Sequence, residues 1–162
     1  MASNLEFIKS ESANNVSSLT VTDMFSAQYD VYEVFIRGNG SANVGSISAE
    51  FLDSSDADIA QGAYDRATLR MKVGGAFDDI YGTNQNSFEM VYTSASDKDF
   101  GIKITVYNPF SGSSYTFATI QAMSAYGAKG LTVAKSTTSA TGMKFYANQN
   151  YTPINVTVYG VK

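Results

Sequence analysis

Alternation with a period of two recurs along almost the whole chain, and no other feature restricts its fold so strongly. In the closing stretch Ile154, Val156 and Val158 point one way, while Asn155, Thr157 and Tyr159 point the other. Such alternation marks a half-buried β-strand, whereas an amphipathic helix repeats every three to four residues. The same rhythm predicts strands over 16–24, 30–37, 44–53, 68–73, 87–92, 100–108, 115–126, 131–135, 143–147 and 154–161. In 68–73 it places Leu69, Met71 and Val73 inward and Arg70 and Lys72 outward. Glycine- and asparagine-rich punctuation separates these stretches, for example Arg37-Gly38-Asn39-Gly40-Ser41 and Asn108-Pro109-Phe110-Ser111-Gly112. Helix is limited to single turns around 56–61 and 78–81.

Many short strands joined by regular turns predict an all-β, antiparallel two-sheet jelly roll or β-sandwich of about 8–10 strands, with an immunoglobulin-like sandwich as second choice. Residues 13–162 read as one β-sandwich domain, and 1–12 as an N-terminal arm or edge strand with a strand signal at Leu5, Phe7 and Ile8. The last 21 residues, 142–162, read as a strand, a polar turn and a second strand that is pinned in a sheet. A chain of 162 residues is long enough for one domain with a sizeable core.

Composition excludes several chemistries. Histidine and cysteine are both absent, which removes the commonest general base, the Ser-His-Asp triad, thiolate nucleophiles and the usual zinc ligands. Net charge is −4, and the basic residues form no stripe beyond Arg66, Arg70 and Lys72, so no nucleic-acid partner is expected. No apolar run approaches the roughly 20 residues of a membrane helix, and the first residues lack a basic region followed by an apolar core. The expectation is a protein made in a cytoplasm, soluble until assembled, with no membrane partner and no cofactor. Only 16% of residues are charged, so Ser, Thr, Asn and Tyr must carry much of the polar surface.

Three features are candidate sites. Asp53, Asp56 and Asp58 share one loop and offer oxygen ligands for a hard cation such as Ca²⁺, although the spacing lacks the glycine and closing glutamate of a helix-loop-helix calcium loop; a solvated turn is the plainer reading. Asp78-Asp79 and Asp97-Lys98-Asp99 are acidic pairs, and a glycosidase would need two such carboxylates facing across a groove. The 11 tyrosines suit either sugar stacking or protein interfaces.

The closing segment, with Gly-Met-Lys-Phe at its start, the ANQNYTPIN connection and the exit Val156-Thr157-Val158-Tyr159-Gly160-Val161-Lys162, resembles the C-terminus of small structural proteins of tailed bacteriophages. Phe25 to Val34, with its Tyr29-Asp30-x-Tyr32 strand entry, and Phe51-Leu52-Asp53-Ser54-Ser55 resemble the same group. The likeness covers the first third and last tenth of the chain; the centre shares strand rhythm only. It departs at Thr152-Pro153, where the group usually has a glycine turn. The resemblance implies a jelly-roll virion component, a capsid decoration or cement protein that binds the major capsid protein or other virion subunits as a homo-oligomer, plausibly a trimer. It implies no enzyme. The alternative it leaves open is a tail or fibre module that binds host surface glycans. On either reading the expected contacts are Leu5, Phe7, Tyr29, Tyr32, Tyr107, Tyr151 and Tyr159.

Overall fold

The computed structural model describes residues 4–40, 45–72, 74–93 and 98–162. Predicted strand residues Val44 and Val73 lie outside these. Among the described residues the protein is all-β, with eleven strands: β1 (Leu5–Ala13), β2 (Val16–Val21), β3 (Val31–Gly40), β4 (Ser46–Leu52), β5 (Tyr64–Lys72), β6 (Phe77–Gln85), β7 (Phe88–Tyr92), β8 (Asp99–Tyr107), β9 (Thr116–Met123), β10 (Tyr126–Ala134) and β11 (Gly142–Val161). Every pairing is antiparallel, and the order is β6-β5-β10-β9-β8-β3-β11-β4-β7.

The closing segment departs from expectation. It is a single strand of 20 residues, and no hairpin interrupts it. The polar ANQN stretch that reads as a turn is instead where the strand changes partners. Residues 154–160 of β11 pair with β3, and residues 142–146 pair with β4. On its other edge β11 pairs with β1 through Leu5–Ala13 and then with β2 through Val16–Val21. Register shifts fall between Tyr146 and Tyr151 on one side and between Tyr151 and Ile154 on the other. Bulges of this kind bend a strand and increase its twist, so one strand can serve two layers. The continuous sheet therefore folds over on β11. One layer is β1-β11-β3-β8-β9-β10-β5-β6, and the other is β2-β11-β4-β7. The result is a nearly closed sandwich.

The core lies between these layers. Val34, Ile36, Ile104, Val106, Val156 and Val158 line the large layer, and Ile47, Phe51, Phe88 and Phe145 meet them from the small one; all are buried. Phe51, Tyr64 and Phe88 stack within 6.4 Å of one another. Each such side chain removed from water contributes about 1.5–3 kcal/mol. Alternation in β3, β4, β8 and β11 thus reads correctly onto inward and outward faces.

In β5 the faces are reversed. Leu69 and Met71 stand outward at 47% and 42% exposure. Arg70 and Lys72 find acidic and aromatic partners on β6, β7 and β10. Arg70 Nε donates to Asp78 at 2.9 Å and its guanidinium lies 4.0 Å from Glu89; Lys72 Nζ lies 2.8 Å from Asp78. The two cations also sit 6.0 Å and 5.8 Å from the rings of Tyr92 and Tyr126. Long basic side chains can bury their stems while the charged heads stay paired. Asp78 serves as the shared anion because it lies in a strand, β6, where a helical turn was expected.

Gly160 packs the end of β11 against the segment that leads into β3. A Cβ there would stand 2.4 Å from the Tyr29 ring, so the ring lies flat on backbone that only glycine leaves bare. Tyr32, paired with Gly160 across β3 and β11, accepts the Ser26 N–H at 2.8 Å and donates to the Ser26 carbonyl at 2.8 Å. Gly160→Ala should therefore lower unfolding free energy by roughly 1–3 kcal/mol through overpacking. Gly101→Ala, where no atom lies within 4 Å of the added methyl, should change it by less than about 1 kcal/mol. Urea unfolding of both variants checks this; equal losses would show that the Tyr29 contact is not what selects Gly160.

Candidate functional site

The outward face of the large layer carries three adjoining hollows of about 610, 870 and 640 Å³. Cross-strand register explains where they lie. Arg37 of β3 is opposite Gly101 of β8, Gly101 opposite Met123 of β9, Met123 opposite Gly127 of β10, and Gly127 opposite Met71 of β5. Two of those five neighbouring positions have no side chain, so the row sinks between its walls. The next row is Phe35, Lys103, Gln121, Lys129 and Leu69. The 610 Å³ and 870 Å³ hollows share Arg37, Gly101, Met123 and Asn155, while the 870 Å³ and 640 Å³ hollows share Gln121 and Lys129. Together they form one open trough that runs across the strands.

Its two ends differ. Over β11, β3, β8 and β9 the lining is polar and basic: Asn155, Thr157, Arg37, Lys103 and Gln121. Lys103 is partly compensated, since its Nζ lies 3.0 Å from Glu33 and 5.8 Å from the Phe35 ring. Among the described residues Arg37 and Lys129 have no ion-pair partner. Toward β5 and β6 the lining is largely apolar, with Leu69, Leu131 and Tyr81, and holds one carboxylate, Asp79. Phe77 and Tyr81 at that edge are 66% and 76% exposed.

The tyrosines and apolar residues expected to make contacts separate into two groups. Tyr29, Tyr32 and Tyr151 are buried in the core of this chain: Tyr29 covers Gly160, Tyr32 holds the Ser26 loop, and Tyr151 packs 5.7 Å from Phe100 where β11 changes partners. Burial holds the Tyr151 hydroxyl above its ordinary value. Leu5, Phe7 and Tyr107 are exposed. Tyr159 is half-buried between Phe7 and Phe35, each 5.9 Å away and edge-on. None of the seven residues expected to make contacts lines the trough, whereas Asp79 and Asp99 of the acidic pairs do, at separate hollows. Its own residues carry no motif, and only cross-strand register, which needs the strand order, brings them together.

The acidic loop is a folded turn. Asp53 Oδ1 accepts from Ser55 N–H at 2.7 Å, Ser55 Oγ at 2.7 Å and Ala57 N–H at 3.1 Å, which holds its carboxyl below the ordinary value. Asp58 accepts from Ala60 N–H at 3.0 Å and from the Tyr64 hydroxyl at 2.7 Å, and that hydroxyl accepts the Phe51 N–H at 2.8 Å. Burial and the Asp58 carboxylate together hold the Tyr64 hydroxyl well above its ordinary value. Asp53 and Asp58 thus bond to their own turn, only Asp56 remains exposed without such bonds, and the described residues contain no three-ligand cluster. Of the acidic pairs, Asp78 is held by Arg70 and Lys72, Asp99 bonds Asn39 at 2.6 Å, and Asp97 lies outside the described residues.

No protein-family model and no curated protein matches the chain. Among solved structures it is similar to part of an exo-inulinase from Aspergillus awamori, at 10% identity and a TM-score of 0.44, covering 98% of this chain and 29% of that one. A fructofuranosidase from Schwanniomyces occidentalis complexed with fructosylnystose is similar at 7% identity and a TM-score of 0.30, covering 99% and 35%. The VP2 subviral particle of infectious bursal disease virus is similar at 12% identity and a TM-score of 0.14, covering 98% and 41%. The chain thus spans about a third of the length of the first two. Likenesses at these TM-scores carry no argument about function.

Two measurements test the site's framework. Tyr64→Phe leaves the Phe51 N–H without its acceptor and should cost roughly 1–3 kcal/mol, read by denaturant unfolding. The second concerns β1. Lys162 Nζ lies 2.6 Å from Glu6, and that contact, followed by the Tyr29 hydroxyl, holds the Glu6 carboxyl below its ordinary 4.5. A lowered carboxylate contributes stability that is complete above pH 4.5 and lost as pH falls below it. Burial, then Glu6, pushes the Tyr29 hydroxyl up from 10 to about 12, so its contribution is complete below pH 10 and lost as pH rises toward 12. Hydrogen-exchange protection in β1 should decline selectively below pH 4.5, and Glu6→Gln should flatten that decline.

Proposed function

We propose that this chain is a non-catalytic structural protein of a tailed-bacteriophage virion, a decoration or cement protein that binds the capsid shell as a homotrimer. The observation that carries this reading is the apolar end of the outward face. Leu69, Phe77, Tyr81 and Leu131 stand exposed on a sheet whose inward face already has a complete core. Contiguous exposed apolar groups ringed by polar ones mark surfaces that are covered on assembly. The resemblance of the Tyr29–Tyr32 and Val156–Gly160 segments to phage virion proteins supplies the setting, and the two segments pack against one another at Gly160. Binding of this kind needs no histidine, cysteine or paired carboxylates. Each copy would span neighbouring shell subunits and bury surface that otherwise opens under internal pressure.

A tail or fibre module that binds host glycans is the second reading, favoured by the polar end of the trough. Copy number separates the two: quantitative mass spectrometry of intact particles should find hundreds of copies for a shell protein and a handful for a tail component. In the cement reading, Phe77→Asp combined with Tyr81→Asp leaves the isolated chain folded, because both side chains are exposed, yet abolishes its incorporation into particles. Particles lacking the protein should then lose their genome at lower temperature. Equal heat resistance with and without it would end the cement reading.

A further inference from the structure

We infer that the basic end of the trough is a binding site for an extended acidic polysaccharide, a glycan chain bearing carboxylates along its length. This goes beyond the capsid-docking reading and uses different residues, so either can fail alone.

The charge argument comes first. The protein carries a net charge of −4, yet this stretch of its surface gathers Arg37, Lys103 and Lys129 around one hollow of about 870 Å³ with no carboxylate in its lining, while Asp99 and Asp79 line the hollows on either side. Arg37 and Lys129 have no ion-pair partner among the described residues, and the Lys103 charge is shared with Glu33. Free cations in a concave site favour an anionic occupant.

Spacing then decides its size. Arg37 is on β3 and Lys129 on β10, three strand spacings apart in the order β3-β8-β9-β10. At about 4.7–4.9 Å per spacing that is roughly 14 Å. A single phosphate or carboxylate cannot meet both cations, whereas a chain lying along the trough can.

Direction decides its chemistry. The trough crosses the strands, and its floor lies on interior strands whose backbone N–H and C=O groups already pair on both sides. An acidic peptide laid there finds no free backbone to pair with, which removes the main source of affinity for extended peptides. What the floor does offer is side-chain hydrogen bonding from Gln121, Asn155 and Thr157, which suits hydroxyl groups. The partly exposed rings and thioethers of Phe35 and Met123 supply the apolar contact that sugar faces require. Gly101 keeps the floor open, since a Cβ added there meets nothing within 4 Å.

The full chain should be titrated by calorimetry with three probes: oligomers of polygalacturonate and of alginate, neutral dextran oligomers, and poly-glutamate. At low salt, at least one uronate oligomer should bind and dextran should not. Raising ionic strength should weaken binding, because exposed charges are screened over about 10 Å at 0.1 M. Arg37→Gln combined with Lys129→Gln should weaken it about tenfold, and Gly101→Tyr should block it by filling the floor. The Phe77→Asp, Tyr81→Asp variant should bind the uronate normally. Failure of both uronates to bind overturns the proposal, as does undiminished binding by the Arg37 and Lys129 variant. Tighter binding of poly-glutamate than of either uronate also overturns it, in favour of an acidic polypeptide. Circular dichroism confirming that both groove variants are folded keeps loss of binding distinct from loss of structure.

Discussion

The whole architecture depends on the pairing of β11 along both its edges. Its inner residues Ile154, Val156 and Val158 are fully buried, and among the described residues it is the only strand that belongs to both layers. β1 and β2 occupy one edge in succession, and β3 and β4 occupy the other. Each layer alone would present long unpaired strand edges, a form that a small sheet holds poorly in water. With β11 in place the layers share a hinge line near Tyr151, and their inward faces are brought together without any connecting helix. The bulges that let β11 bend fall at its polar ANQNYTP stretch, where the apolar alternation lapses and register is least strongly fixed.

A second arrangement follows from that closure. Because the layers meet along β5, β10 and β7, one rim of the sandwich is a polar seam. Arg70 and Lys72 share Asp78 there and lie beside Tyr92 and Tyr126. The seam turns the cations of β5 away from the outward face, and the apolar side chains of the same strand must then face out. Leu69 and Met71 become surface residues for that reason. The apolar docking end proposed for capsid contacts is thus the reverse side of an internal ion-pair network.

Much of the fold was legible in the sequence because alternation is a local signal. It placed β3, β4, β8 and the second half of β11 on their correct faces. It failed in β5, where Leu69-Arg70-Met71-Lys72 alternates just as cleanly but partners on β6 and β7 decide which set is buried. It failed in β6, where Asp78 reads as a turn residue until Arg70 and Lys72 are seen beside it. The closing hairpin was misread because a polar interval inside a strand resembles a turn when the partners on either side are unknown. The trough was not legible at all. Gly101, Gln121 and Lys129 are far apart in the chain, and only the order β3-β8-β9-β10 makes them neighbours.

The partner-sharing role of β11 bears on how the molecule comes into being. Every strand that flanks β11 lies at least 90 residues before it and leaves the ribosome first. Until β11 emerges, β1 and β2 have no pairing partner among the described strands, and β3 and β4 each lack one side. The sandwich therefore cannot close during most of its own synthesis. Pairing of such long sequence separation is slow, since loop closure must precede the contacts that reward it. In that interval the chain displays open strand edges to its siblings on the same message, and the charged and polar side chains of β1, Glu6, Lys9, Ser10, Glu11 and Ser12, act as a guard against their joining.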